Sequence, residues 1–546
     1  MHEQVPVLIV GGGIVGLSAS LFLLHQGIPA LLVERHTGTS IHPRARGVNG
    51  RSMELYREIG LEEDVRITGA ALAPSFGILT GETLMAALEH WDPARRQQVV
   101  AAFSKAGNMQ DVSPTTGSRC TQDLLEPLLL AAARQRGGDL RFNTELVSFE
   151  QDDSGVTATI VERAGGTQHT VRADYMIAAD GARARIRGSL DISTNGCRPQ
   201  GHLLNILFQA DLSDLVRGRE FSMCMIKHPG KHQEIHGLLT AINNTDRWVF
   251  HLPYDPQRGE SPEDFPHERC IDVLRTVLGL PQIEIEIKSI QPWEAAVRVA
   301  DTFQRGRVFL TGDAAHQMPP WGGKGANTGI ADVHNLAWKI ALVLKGKADP
   351  VLLTTYDTER RPVGREAAEE AGSMSDEHGL LSLQLQQSTF VNSFARMLGY
   401  GYQYASQAII AEGHAGLAPD GQDFTGYPGT RAPHIWIEHK GKRISTLDLF
   451  GTSFALFTGS DGAVWCDAAR AVSTRSGTGI IAYQIGANGD LLVQDSRWQE
   501  VYGITARGAS LVRPDGFVAW RSREMAGDPQ QALEQVLYRL SCRSIL

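Results

Sequence analysis

Gly11, Gly13 and Gly16 stand in a G-x-G-x-x-G spacing between an apolar run, Pro6 to Val10, and an apolar helix-like segment reaching Gln26. Glycines placed there permit a tight turn and let the backbone approach a pyrophosphate at a helix N-terminus, where unpaired N–H groups favour an anion. Glu34 ends the next apolar run, Ala30 to Val33, 18 positions beyond Gly16. A carboxylate at about that distance can accept the hydroxyls of a ribose. Two aspartates follow apolar runs much later, in Ala179-Asp180-Gly181 and Gly312-Asp313-Ala314-Ala315-His316. Close behind the second comes Pro319-Pro320-Trp321-Gly322-Gly323-Lys324-Gly325-Ala326-Asn327-Thr328-Gly329, ahead of a helix. An aspartate at a strand end offers acceptor oxygens to hydroxyls, and glycines before a helix let N–H groups face an electron-rich edge. Arg44 and Arg46, in His42-Pro43-Arg44-Ala45-Arg46-Gly47, are candidates for phosphate oxygens, which a guanidinium meets with two parallel hydrogen bonds.

These groups need a scaffold that brings strand ends and helix starts together. The first 33 residues read as a β-α-β opening whose near-continuous apolar strands fit a parallel sheet covered on both faces. Thr121 or Gln122 opens a predicted helix through Arg136, and Leu140 to Phe142, Glu145 to Glu150, Val156 to Glu162 and Tyr175 to Ala179 read as strands. From about Asp191 to Pro292 the pattern changes to alternating segments, His202 to Ala210, Glu234 to Ala241 and Arg247 to Leu252, between turn-rich stretches. That predicts an antiparallel sheet. Arg307 to Thr311 gives another buried strand, and Ile330 to Leu344 a helix ending near Gly346. Gly416 to Thr430 reads as a linker to a last unit that begins around Arg431. The expected architecture is α/β: a discontinuous Rossmann-like nucleotide domain (1–190 and 297–415), an inserted antiparallel-sheet domain for the substrate (191–296), and a C-terminal domain (431–546).

Composition agrees with several globular units. At 546 residues the chain suits three or so domains, on a guide of roughly 150 residues each. A net charge of −9, with no basic stripe, argues against nucleic acid as a partner. The six cysteines, Cys120, Cys197, Cys224, Cys270, Cys466 and Cys542, form no C-x-x-C pair and no metal-ligand spacing, so no metal is expected and a reduced, cytoplasmic protein is the simpler reading. Neither a signal peptide nor a membrane-spanning run is visible.

In the ordered set of Asp180-Gly181, Gly312 to His316 and Pro319 to Gly329, the sequence resembles the single-component flavoprotein aromatic hydroxylases, the p-hydroxybenzoate hydroxylase family. The length, and segments such as Ser445 to Gly451 and Ala509 to Gly516, resemble the members with a thioredoxin-like third domain, among them phenol hydroxylase and the polyketide-tailoring hydroxylases of antibiotic pathways. The resemblance implies FAD as cofactor and NADPH or NADH as reductant. It also implies that Asp180-Gly181 lies near the FAD pyrophosphate, that Asp313 accepts from the ribityl chain, and that Arg46 and Gln122 contact FAD, Arg46 in preference to Arg44. With the fingerprint, the expected cofactor-binding set is Gly11, Gly13, Val15, Gly16, Glu34, Arg35, Arg46, Gln122, Leu146, Asp180, Gly181, Asp313, Pro320, Gly323, Gly325, Ala326 and Asn327. One departure stands out: Ala184 occupies the position where the family often has Ser, so one hydroxyl contact is missing.

The activity implied is hydroxylation of a phenol-like aromatic molecule by dioxygen through a flavin C4a-hydroperoxide. Trp293 and Trp321 are candidates for stacking on a planar substrate. His202, His228, His232, His236 and His251 show no metal spacing and read as structural or surface residues. No residue is identifiable as the catalytic base, and association into homo-oligomers is left open. A pyridine-nucleotide disulfide reductase would need a second glycine fingerprint and a vicinal cysteine pair, and a flavin halogenase a W-x-W-x-I-P segment; the sequence has neither. The remaining alternative is a non-enzymatic protein that keeps the FAD fold to bind a partner.

Overall fold

The computed structural model describes residues 2–70, 72, 77–92, 94, 97, 112–196, 201–230, 234–382, 401–412, 426–487, 489–493 and 497–543. Cys197, His232 and most of the expected linker lie outside the described residues.

The chain opens with β1 (His2–Val10), α1 (Ile14–His25) and β2 (Ala30–Glu34). Val7, Leu8, Ile9, Leu31 and Leu32 are wholly buried, as strands are when helices cover both faces of a sheet. α2 (Gly50–Glu58) is capped by Asn49, whose side chain accepts from Ser52 N at 2.9 Å. After β3 (Ile78–Gly81) and α3 (Gln122–Gln135), the chain returns to the sheet with β4 (Asp139–Phe142). A meander follows: β5 (Thr144–Asp152), β6 (Gly155–Glu162) and β7 (Gln168–Ala178). The middle segment gives β8 (Gly201–Gln209), β9 (Met223–His228), β10 (Ile235–Ala241), β11 (Arg247–Tyr254) and β12 (Glu286–Ala295). Then come β13 (Val308–Leu310), α4 (Lys324–Leu344) and α5 (Thr355–Ser373).

The parallel part of the first sheet runs β13-β7-β1-β2-β4, so sequence from both sides of the middle segment builds one sheet, and β6 with β5 joins it antiparallel at β7. The second runs β12-β8-β11-β10-β9-β3. Its pairs are antiparallel except β9 with β3, which are parallel. The expectation of a sheet drawn from 191–296 alone, antiparallel throughout, is corrected at that edge. Four residues, two of them exposed, are too short a pattern to announce a strand.

The C-terminal part folds as β14 (Phe454–Thr458), α6 (Ala463–Ser476), β15 (Ile480–Gln484), β16 (Ala509–Val512), β17 (Val518–Ser522) and α7 (Pro529–Leu540). Its sheet order is β15-β14-β16-β17, with the first pair parallel and the others antiparallel. Buried charges fasten it to the rest. Glu359 of α5 accepts from Arg513 at 2.6 and 3.0 Å and from Lys339 of α4 at 2.8 Å, while Arg513 also donates to Asp515. Glu54 of α2 accepts from Arg51 and from Arg431, each at 2.9 Å. All of these side chains are buried. Burial alone would raise the Glu54 carboxyl, but Arg431 and Arg51 outweigh it and hold the group at about 2; Arg513 and Lys339 likewise hold Glu359 well below the usual carboxylate range.

Both carboxyls titrate lower in the folded chain than their ordinary 4.5. The stability they contribute is therefore complete above about pH 4.5 and is lost as pH falls through the folded values. Urea midpoints measured from pH 6 downward should fall below that point and keep falling. Arg513→Ala takes the shared guanidinium from two buried carboxylates and should cost about 3–5 kcal/mol, whereas removing Arg217 from its exposed pair with Asp214 should cost under about 1 kcal/mol. Equal stability of the two variants would show that the buried network contributes nothing.

Candidate cofactor and substrate site

A cavity of about 1440 Å3 runs along the C-terminal ends of the parallel strands, past Gly11, Glu34, Asp180 and Asp313, to the second sheet at Met223, Thr240 and His251. Crevices at strand ends are where open α/β sheets bind ligands. At Gly16 a Cβ would overlap the Gly11 carbonyl oxygen, and at Gly11, with φ +114°, one would overlap the Ala179 carbonyl oxygen. Neither position can carry a side chain if α1 is to start where β1 ends. At Gly13 a Cβ would meet only Glu126 Oε1, 3.5 Å away, so this glycine leaves room beside the helix N-terminus.

Glu34 is fixed by two backbone donors, Gly12 N at 2.6 Å and His36 N at 2.8 Å, and lines the cavity with Arg35 and, from β5, Leu146. Gln122 opens α3, donating from N to Ala45 O at 2.7 Å and from Nε2 to Glu126 Oε1 at 2.6 Å. Asp180 Oδ2 accepts from Ile186 N at 3.1 Å, while Oδ1 is buried with no partner among the described residues. Burial raises this carboxyl. The Ala184 departure explains the Ile186 contact. Ala184, with φ +39°, is the N-cap of the short helix Arg185–Ser189 and has no side-chain oxygen to offer, so Asp180 caps the helix from across the Gly181 turn.

Asp313 sits in a single turn of 3-10 helix, Gly312–Ala314, and is open to the cavity with protein on its other sides. Burial raises its carboxyl, against the pull of His316 and Arg44. The two candidate arginines part company. Arg46 Nη2 donates to Ala241 O at 2.8 Å, toward the second sheet, and burial together with Arg119 lowers its guanidinium to about 10. Arg44 is exposed on the cavity wall, and its charge is felt at Glu126 and Asp313.

The glycine loop is shorter than expected. Pro320 leads into a turn, Trp321–Gly323, in which Gly322 and Gly323 have φ of +78° and +63°, and α4 begins at Lys324. Gly325, Ala326 and Asn327 are therefore in the helix's first turn rather than in a loop reaching Gly329. That turn has no side-chain cap and no acidic residue, so its N–H groups are available on the cavity wall. Asn327 ties it down, donating to Gly323 O at 2.7 Å and accepting from Asn49 N at 2.9 Å. Lys324 is buried and paired with Glu370.

Trp321 is buried and lines the cavity. Trp293 does not: it packs behind the wall with Leu203, Leu238 and Trp321, and donates from Nε1 to Asn205 Oδ1 at 2.6 Å. Its expected role as a stacking surface is corrected, because an indole whose N–H needs a buried acceptor is held where that acceptor is. His251, read from sequence as structural or surface, lines the cavity instead. The signal that could have found it is the period of two in β11, where Phe250 and Leu252 face the core of the second sheet and turn residue 251 to the other side.

Residues 4–371 match the family described as "FAD binding domain", and residues 425–542 the family described as "Aromatic-ring hydroxylase, C-terminal". The chain belongs to the FAD-dependent aromatic-ring hydroxylase family. It is 41% identical to the tetracenomycin A2 monooxygenase-dioxygenase of Streptomyces glaucescens, covering 99% of this chain and 98% of that one. It is 38% identical to an aklavinone 12-hydroxylase of Streptomyces purpurascens, covering 98% and 99%. Among solved structures, aklavinone-11 hydroxylase in complex with FAD and aklavinone superposes with a TM-score of 0.85 at 37% identity, covering 99% of each chain. The cavity suits FAD: the backbone of the fingerprint is free of side chains, Asp180 keeps an unpartnered buried oxygen, and α4 presents an uncapped N-terminus.

A Cβ on Gly329 would lie 2.5 Å from Val15 Cγ2 and 3.0 Å from Gly312 Cα, so Gly329→Ala should cost about 1–3 kcal/mol and lower the FAD retained through gel filtration. Val15→Ala in the same chain should restore part of it. Gly16→Ala, which clashes with backbone, should not be rescued that way. Full flavin occupancy in Gly329→Ala would show that this contact does not shape the site.

Proposed function

We propose that this protein is an NAD(P)H-dependent FAD monooxygenase that places one atom of dioxygen on a phenol-type ring of a polycyclic, polyketide-like substrate. The observation that carries the reading is the continuity of one cavity from the glycine fingerprint, past Asp313 and the start of α4, to the second sheet. The relatives, hydroxylases and monooxygenases of aromatic polyketides by name, support the substrate class.

In this reading Glu34 receives ribose hydroxyls, with Val15, Arg35 and Leu146 around the adenosine. Arg44, rather than Arg46, meets the diphosphate beside Gly11, Gly13 and Asp180-Gly181, because Arg46 is committed to Ala241 and the second sheet. Asp313 accepts from the ribityl hydroxyls. The N–H groups of Gly325, Ala326 and Asn327 face the flavin edge that becomes negative on reduction. When bound, FAD supplies the chemistry the side chains lack, taking electrons from NAD(P)H and passing them to dioxygen. The protein orients the ring and excludes water. With one nucleotide fingerprint in the sequence, NAD(P)H visits a cleft without a Rossmann unit of its own.

The division into a nucleotide unit (1–190 and 297–415), a substrate unit (191–296, joined by 78–81) and a thioredoxin-like unit (431–546) belongs to the same reading, and the β15-β14-β16-β17 order supports its last part. That unit has no redox role. Cys466 is buried, its thiol pushed up to about 11 by burial, so it holds little thiolate at neutral pH. Cys466→Ser with Cys542→Ser should leave turnover near wild type; loss of NAD(P)H oxidation with the fold intact would refute this.

Heat or acid should release yellow, noncovalent FAD. Anaerobic flavin reduction by NAD(P)H should accelerate strongly with a hydroxylated polycyclic aromatic, and the product should carry one oxygen from labelled dioxygen. Asp313→Ala should lower flavin retention. Bound FAD that NAD(P)H never reduces across a phenol and polyketide panel would instead identify an FAD-fold binding protein.

A further inference from the structure

Three aromatic rings and one amide meet where the second sheet closes the cavity. His251 stacks edge-on against Trp293 and Trp321, with ring centroids 6.5 and 6.4 Å apart. Asn205, on the adjacent strand and buried, presents Oδ1 to two groups at once: Trp293 Nε1 at 2.6 Å and His251 Nδ1 at 2.6 Å.

That shared oxygen settles which ring nitrogen carries hydrogen. An indole N–H can only donate, so the Asn205 atom facing Trp293 must be the carbonyl oxygen. The same oxygen can only accept from His251, so Nδ1 must be protonated. In a neutral imidazole the lone pair is then on Nε2, which has no hydrogen-bond partner among the described residues while the side chain lines the cavity. Burial, with His42 and Arg46 nearby, pushes the imidazole down to about 3, so it stays neutral across the physiological range. A bare acceptor nitrogen in a largely apolar wall is costly unless a donor meets it.

We propose that His251, its tautomer fixed by the Asn205–Trp293 pair, is the hydrogen-bond acceptor on which the ring hydroxyl of the substrate docks. The inference rests on the reading of this cavity as the site of a phenolic substrate and names the residue that selects it. His251 orients the O–H and so fixes which ring carbon faces the flavin loop at Trp321. It is too weak a base to remove the proton outright, which makes it a group for positioning and specificity rather than for general-base catalysis.

The test uses FAD-loaded full-length protein and two probes, 1-naphthol and 1-methoxynaphthalene, titrated by the change in flavin absorbance. A neutral hydrogen bond of ordinary strength should make the naphthol Kd about 5- to 10-fold lower than that of the ether in wild type. His251→Phe should abolish the preference and leave the ether's Kd unchanged, with flavin content and melting temperature as folding controls. His251→Gln, which keeps an acceptor, should retain part of the preference. Trp293→Phe frees the Asn205 amide to turn and should weaken the preference without altering a cavity-lining residue. In 15N spectra, the His251 Nε2 signal should be that of an unprotonated nitrogen and should move with naphthol but not with the ether. A preference that survives in His251→Phe, or a wild type that binds both probes equally, overturns the assignment. Failure of the FAD-loaded wild type to bind either aromatic would instead remove the substrate class proposed for the cavity.

Discussion

The architecture depends on one close approach of backbone to backbone. Where α1 leaves β1, the turn after β13 and the early turns of α4 come together, with Val15 packed against Gly312 and Gly329. Gly11 and Gly16 let α1 begin against the strand; Gly312 and Gly329 let the later elements close over Val15. A hydrophobic contact can be traded for another of similar volume, but a glycine whose Cβ position is already filled by a carbonyl oxygen cannot be replaced without moving a strand or a helix. The cavity's shape follows: the uncapped start of α4 and the fingerprint N-terminus of α1 both border it, although more than 300 residues separate them in sequence.

A buried carboxylate then holds this junction in register. Asp332 of α4 accepts from His316 at 2.6 Å, from Arg360 of α5 at 2.8 Å and from Gly312 N at 3.2 Å. The turn that carries Asp313 is thus anchored to α4 by the aspartate's own hydrogen bonds. One turn further along, Asn335 and Lys339 enter the network around Glu359 and Arg513. α4 is consequently fixed along its length by ionic contacts, from Lys324 with Glu370 at the cavity end, through Asp332 with Arg360, to Lys339 with Glu359. The C-terminal unit bears on the cavity indirectly, by holding the far end of the helix whose near end lines it.

Much of the nucleotide end was legible from the sequence, because a phosphate site is built from backbone, and backbone exposure is written in glycines at fixed spacing. Glu34, Asp180 and Asp313 fall on the cavity for the same reason: each ends a strand, and strand ends define the crevice. What was not legible depends on direction. Arg44 and Arg46 are two residues apart, chemically identical and both on the cavity wall, yet the charge of one is felt at Asp313 and the other is tied to Ala241 O of the second sheet. The start of α4 was misplaced by six residues because glycines inside a first helical turn read as loop. The strand Ile78–Gly81 was invisible because its partner lies more than 140 residues away. Trp293 packs behind the wall and His251 lines it: the alternation along β11 turns His251 away from the core face that Phe250 and Leu252 occupy, while the Trp293 indole is held by its hydrogen bond to Asn205.

The two ends of the cavity differ in electrostatic character, and the difference bears on reactivity. Charges of both signs line the end at the glycine fingerprint: Glu34, Glu126, Glu145, Asp180 and Asp313 with Arg35, Arg44, Arg183, Arg185 and Lys324. At the second sheet the described lining is Arg46, Met223, Thr240, Gln291, Trp321 and Leu381 around a neutral His251, with no carboxylate among them. A cation in a poorly solvated wall favours whichever form of a ligand is negative. Against this, loss of water disfavours the ionised form of a ring hydroxyl, whose ordinary pKa is about 10, and Arg46 is already engaged with Ala241 O; the acceptor role proposed for His251 requires the neutral O–H. The charged groups thus gather where a dinucleotide would lie and thin out toward the second sheet, where, in the reading proposed above, a neutral ring hydroxyl would meet one neutral acceptor.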